Sequence, residues 1–180
     1  MSLRERAKAK RVISQIVKEA GGEFVGKTRL FKAFYIAHLL YAEREAGYLT
    51  TWPIVRMPHG PGIDAGDELL RELQLRGVLQ CDQVPEGPWS TNRYVLRERA
   101  LPGEKLSTAE KRAVRDAVRF VQSKTAAELS ELTHEHSRSW IAARDGQPLN
   151  IYIDMIPDEE FVQRDKELEL LHRELIAAWK

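Results

Sequence analysis

The sequence predicts a mainly α fold with a minor β part (α+β minor), a single compact domain over residues 1–180 with about six helices and a small antiparallel β-hairpin. Three observations predict it. Apolar residues recur at helical spacing along most of the chain, and two capping boxes mark helix starts. Only two short runs rich in strand-forming residues face each other across a Pro- and Gly-rich connection.

Residues 4–20 place Ala9, Ile13, Ile16, Val17 and Ala20 at helical spacing among Lys and Arg, and Gly21-Gly22 supplies a stop, so an amphipathic helix is expected. From Thr28 to about Ala46 a second helix carries two adjacent apolar stripes, Leu30, Phe34, Ala37 and Tyr41 beside Phe31, Tyr35 and His38. So wide an apolar face suggests a central core helix, with His38 as a hydrogen-bonded core histidine. Residues 51–63 hold three prolines and two glycines, which exclude helix and favour an extended segment followed by a tight turn. A helix resumes over 65–76, with Leu69, Leu70 and Leu73 on its buried side and Gly77 as its stop. Val78 to Asp82 and Tyr94 to Leu96 read as short strands joined across VPEGPWS, a hairpin.

Ser107 with Glu110 forms the first capping box, and Val114, Ala117, Val118 and Val121 line the inner face of the helix it opens. Thr125 with Glu128 forms the second and starts a shorter helix towards His134. Ile151 to Ile156 reads as an extended segment. Pro157 then begins a final helix over 158–179, packed on the rest through Phe161, Leu168, Leu171, Leu175 and Trp179.

Composition narrows the functional classes. Of 180 residues, 43% are hydrophobic and 31% charged, which fits a globular chain rather than a disordered one. Cys81 is the single cysteine, so neither an intrachain disulfide nor a cysteine-based zinc cluster can form. The charged start of the chain and the lack of a long apolar run point to a cytoplasmic protein without a membrane partner. The formal net charge of +1 hides a basic residue 1–20 segment and an acidic 157–180 segment, which either attract each other or present two faces to partners.

Gly21 to Thr28 matches the phosphate-loop string G-x-x-x-x-G-K-S/T, but that loop needs a buried strand before it, and here a charged amphipathic helix precedes it. The reading is a helix end, a turn and a helix start, leaving Asp154 the only distant candidate for a metal-binding acid. His134 and His136 flank Glu135, two apart, and a helix would point them away from each other. Nothing around Cys81 resembles an activating turn for a nucleophile. No catalytic residue, metal or cofactor is therefore expected. Lys111, Arg112, Arg115 and Arg119 form a basic strip on the 107–122 helix. With the helix-helix-helix-hairpin order of residues 4–96, they allow an alternative reading, a winged-helix-like DNA-binding regulator. Against it, the presumed recognition helix carries Asp67, Glu68 and Glu72 where phosphates would lie. Trp52 and Trp89, both in Pro-containing loops, are candidate anchors for a protein partner.

Several strings in order, KTRLFKAFYIAH, VRMPHGPG, LRGVL with a hairpin, LSTAEKRAVRDAVRFV and KTAAELSELTHEHSRSW, resemble the Panacea, or SocA-like, antitoxin domain over about residues 10–157. Its most specific parts are His59-Gly60-Pro61 and the block from Thr125 to Trp140, with Thr133, His134 and Trp140. The sequence departs from the usual pattern where His59 replaces an aromatic residue and where KTRLFKAF is less leucine-rich. The resemblance implies a non-enzymatic protein that binds and neutralises a partner toxin, with a role as an adaptor to a AAA+ protease known in the family. It makes His59, Gly60, Pro61, Thr133, His134 and Trp140 the candidates for partner binding.

Overall fold

In the computed structural model, which describes residues 2–97, 101 and 104–178, the Ser2 hydroxyl accepts from the Glu5 amide and opens α1, Leu3–Glu19. Its apolar side chains Val12, Ile13, Ile16 and Val17 are buried. Several of its basic side chains pair with acids in residues 68–110. Arg6 and Lys10 reach Glu72 at 2.5 Å each, Arg6 also reaches Glu68, and Lys8 meets Glu110 at 2.7 Å.

The string from Gly21 to Thr28 contains a short strand, β1, Glu23–Val25, where sequence reading expects only a turn. It lies inside the string, and α1, not a strand, precedes Gly21, so the backbone of a phosphate loop is absent. The strand was unreadable because three residues carry no periodicity. Its pairing, Phe24 against Tyr94, comes from a distant element.

The second helix, α2, Lys27–Arg44, runs through the centre of the molecule, with Leu30, Ala33, Phe34 and Ala37 inaccessible to solvent. Helices α1 and α4 (Thr108–Gln122) pack against it. Residues 54–63 fold back on themselves as a hairpin of β2, Ile54–Met57, and β3, Gly60–Ile63, turning at Pro58-His59. Residues 146–149 run alongside β2, the Leu149 amide donating to the Ile54 carbonyl at 2.7 Å. Helix α3, Gly66–Leu75, follows. Next come β4, Leu79–Glu86, and β5, Trp89–Leu96, a longer hairpin than expected because pairing continues through Val84, Pro85 and Glu86 to a turn at Gly87-Pro88. Strand order is β1-β5-β4 in one antiparallel sheet and β2-β3 in the other.

Both capping boxes form as read. Ser107 and Glu110 exchange bonds at the start of α4, and Thr125 and Glu128 do so at α5, Ala126–His136. A further short helix, α6, Arg138–Ala142, begins where the Ser137 hydroxyl accepts from the Trp140 amide. Ile151–Met155 is a 3-10 helix rather than an extended segment, because the Asn150 side chain accepts from the Tyr152 amide and, among the described residues, no strand pairs with it.

The last helix, α7, Asp158–Ala178, forms where the sequence puts it, but two residues of its expected core face are open to solvent. Leu168 is 64% and Leu171 51% exposed. At about 100° per residue Leu168 and Leu171 share one side of α7, yet both stand open to solvent. Trp179 lies outside the described residues, as do the side chains of Phe161 and Leu175.

Candidate functional site

The β2–β3 hairpin is where the residues singled out in the sequence meet. Gly60 sits at φ +96°, a left-handed value that glycine adopts without strain, and its backbone lies directly over the tip of Lys32. That lysine projects from α2 into the interior, 1% exposed, and its Nζ donates to Thr133 Oγ1 at 2.9 Å. Thr133 in turn donates back to its own helix, at 3.0 Å from the carbonyls of Leu129 and Ser130. Gly60, Lys32 and Thr133 thus tie β3, α2 and α5 together at one point.

Among the described residues no carboxylate pairs with the Lys32 amine, and burial holds its pKa down to about 7. The unfolded chain titrates this group near 10.4, so between pH 7 and 10 the unfolded state binds more protons and stability rises with pH. Wild type is therefore expected to gain on Lys32→Met by up to about 1.4 kcal/mol per pH unit across that window, with no further change below it. Urea unfolding of both proteins at a series of pH values checks this. A constant difference across the window would sink it.

Trp140 locks the other side of the hairpin. Its indole Nε1 donates to the Met57 carbonyl at 2.9 Å, and the His134 ring stacks on it at 4.2 Å between centroids. The Arg56 guanidinium lies 3.9 Å from the indole centroid. Its Nη1 donates to the Trp140 and Ala143 carbonyls, at 2.6 and 3.1 Å, and Nε to Asp145 at 2.9 Å. His134 Nε2 is buried without a hydrogen-bond partner. His136 is exposed and faces Glu135 at 3.7 Å, so the two histidines do not converge.

A polar knot behind these contacts fixes the α5–α6 junction. Asp154 accepts from Tyr35 Oη at 2.7 Å, Ser137 Oγ at 3.1 Å, Ser139 Oγ at 2.6 Å and the Ser139 amide at 2.7 Å. Burial, and then the Asp154 carboxylate, push the Tyr35 phenol far above its ordinary pKa, so it stays a donor. Asp154 is thus a structural acceptor, saturated by hydroxyls and an amide.

In front of the hairpin lies an open cleft of about 410 Å³, bounded by the start of α2, the β2–β3 turn and the start of α3. Phe31, Met57, Pro58, His59 and Pro61 line it, with Lys27 and Asp67 paired at 3.0 Å on its rim. His59 and Pro58 are exposed, whereas Gly60 and Pro61 are buried. Glycine recurs here because space demands it. A Cβ on Gly62 would stand 2.2 Å from Met57 Sδ, and one on Gly66 2.5 Å from the Phe31 ring.

Of the residues expected to matter, Gly60, Thr133, His134 and Trp140 therefore gather around the hairpin, and His59 and Pro61 stand at the cleft. Lys32, Arg56 and Met57 escaped the sequence reading. The first had a signal, since a lysine in the middle of a helix with so wide an apolar face has to be covered. The basic strip of α4 is only partly open. Arg115 pairs with Glu19 at 3.0 Å, while Arg112 and Arg119 are exposed and Lys111 is half-buried. Asp67, Glu68 and Glu72 of α3 are taken up by Lys27, Arg6 and Lys10.

The two tryptophans considered as anchors differ. Trp52 is 5% exposed and donates to the Asp64 carbonyl at 2.7 Å, so it belongs to the core, while Trp89 is 79% exposed at the tip of β5. His38 is the core histidine expected, its Nδ1 2.8 Å from the Phe34 carbonyl and its Nε2 3.0 Å from Thr50 Oγ1. Burial lowers its pKa to about 4, which leaves the ring neutral. Among the described residues no helix is long and apolar enough to cross a membrane.

The fold is mainly α, with a Gly-Pro hairpin held from behind by Lys32, Thr133 and Trp140. The sequence matches the family described as antitoxin SocA-like, Panacea domain, over residues 30–141, and the chain belongs to that family. The matched stretch holds Lys32, the hairpin and the block through Trp140. No curated protein matches the chain, and no solved structure does.

Proposed function

We propose that this protein is a non-enzymatic antitoxin that binds and neutralises a partner protein toxin through the cleft beside the β2–β3 turn. One observation carries the reading. The family-motif residues build a rigid hairpin from behind, with Lys32, Thr133 and Trp140, and leave an apolar cleft open in front, rimmed by His59 and Pro58. Partner interfaces are built in this way, from fixed apolar pockets ringed by polar groups. The toxin would insert an apolar or aromatic side chain against Phe31 and Met57. Delivery of the bound toxin to a AAA+ protease is the finer form of the same role.

The test is affinity capture of the tagged protein from its own cells at about 0.3 M salt, which strips nonspecific phosphate contacts. The expected result is a stoichiometric small protein whose expression alone arrests growth and whose toxicity co-expression relieves. His59→Asp should lose both capture and relief, and Trp89→Ala, at the far tip of the other hairpin, should keep both. Capture and relief that survive His59→Asp would move the interface elsewhere. A defined DNA fragment in place of any protein would favour the regulator reading.

A further inference from the structure

We propose that a second cleft, between α1, the end of β5 and the start of α4, binds a compact phosphorylated ligand of nucleotide size. The cleft encloses about 470 Å³, within the range of small-ligand sites. Four cations line it, Lys18 from α1, Arg97 after β5, Lys105 before α4 and Lys111 within it, beside Arg11, whose side chain has a partner of its own. Among the described residues lining it there is no Asp or Glu. In a chain of formal net charge +1, such a concentration of one sign does not follow from composition.

Among the described residues, the acids nearby are committed elsewhere. Glu110 pairs with Lys8 at 2.7 Å and caps α4 through the Ser107 amide at 2.6 Å. Glu19 pairs with Arg115 at 3.0 Å, and Glu104 faces Arg4 at 3.5 Å. Lys18, Lys105 and Lys111 form no ion pair among the described residues. Arg97 donates to the Gln80 side-chain oxygen, a neutral acceptor that orients the guanidinium without cancelling it.

The floor is apolar. Val78 and Leu106 are buried there, and Leu96 and Leu101 are half-buried. A ring of cations over an aliphatic floor suits a ligand with two ends, phosphates for the lysines and a flat apolar body for the leucines. Ser14 and Gln15 add hydrogen-bonding groups on the α1 side. The charges converge from three elements on one compact space instead of running along a track. On α4 the strip that would extend them is interrupted where Arg115 meets Glu19. That geometry favours a nucleotide over a duplex, which needs charges spaced along its backbone.

Titration calorimetry of the full chain with ATP, GTP and adenosine tests this at low and high salt. ATP or GTP is expected to bind with Kd of about 1–100 µM, more weakly as salt rises, and adenosine to give no saturable signal. Lys105→Glu with Lys111→Glu should weaken binding about tenfold or more, with melting temperature measured alongside to show that the fold persists. Should that pair unfold, Lys18→Glu with Lys105→Glu, both on exposed side chains, serves the same purpose. The proposal is overturned if no nucleotide binds saturably up to about 5 mM, a free energy below about 3 kcal/mol, or if charge reversal leaves binding unchanged. Adenosine binding as tightly as ATP overturns it too, as does a 20-nucleotide strand, chosen at about that length to span the cleft, that binds without competition from ATP. Failure here leaves the toxin-binding reading untouched, since that reading uses the opposite hairpin.

Discussion

Gly60→Ala is expected to destabilise the protein by about 3 kcal/mol or more, through strain at a special backbone conformation together with steric overlap in the interior. The backbone there sits at φ +96°, which costs a residue with a Cβ on its own account. The added methyl would also stand 2.0 Å from Lys32 Nζ and 2.4 Å from Thr133 Oγ1. A lysine tip at the surface would swing aside cheaply. This one is 1% exposed and has Thr133 as its hydrogen-bond partner, so moving it strands a buried amine. At about 2–4 °C per kcal/mol for a chain of this size, melting should fall by roughly 6–12 °C. In a Lys32→Met background the same substitution should cost less, because the clash is shared and the two changes couple. Melting within about 1 kcal/mol of wild type would show that the hairpin yields more readily than its packing implies.

Asp154→Ala is expected to cost about 3 kcal/mol or more, since each buried donor left without an acceptor costs about 1–3 kcal/mol. It withdraws the acceptor from four donors at once, the Tyr35 phenol, both serine hydroxyls and the Ser139 amide. Tyr35, Ser137 and Ser139 are buried, so water cannot replace the carboxylate without opening the junction. Asp154→Asn keeps the shape and part of the accepting capacity and should cost less than the alanine variant. Chemical denaturation of the three proteins decides the matter. Equal stability of Asn and Ala variants would mean that the carboxylate's hydrogen bonds contribute little beyond its volume.

The parts of the fold legible in the sequence are those whose causes are local. Ser107 with Glu110 and Thr125 with Glu128 announce two helix starts because a capping box is complete within four residues. The wide apolar face of α2 announces the centre of the core in the same way. What escaped depends on partners far along the chain. The three residues of β1 are a strand only because β5 lies beside them. Ile151-Tyr152-Ile153 carries β-branched and aromatic residues, yet Asn150 and the Asp154 contacts curl it into a 3-10 turn. For the candidate site the motif residues were visible as a family pattern, whereas their reason for being together was not. The Lys32 amine that links Gly60 to Thr133 looks in the sequence like one more charge on a helix.

The order β1-β5-β4 has a consequence for how the chain folds. The β4–β5 hairpin closes around a two-residue turn and can zip within microseconds of its synthesis, as local hairpins do. The pairing of Glu23 with Val95 cannot begin until residue 95 exists, and the seat of α2 is incomplete until α4 arrives to cover it. Loop closure over such separations slows folding and leaves apolar helices waiting in the open. On a ribosome α1 and α2 would therefore emerge as amphipathic segments with unburied faces, and the core would close only as the second half of the chain is delivered.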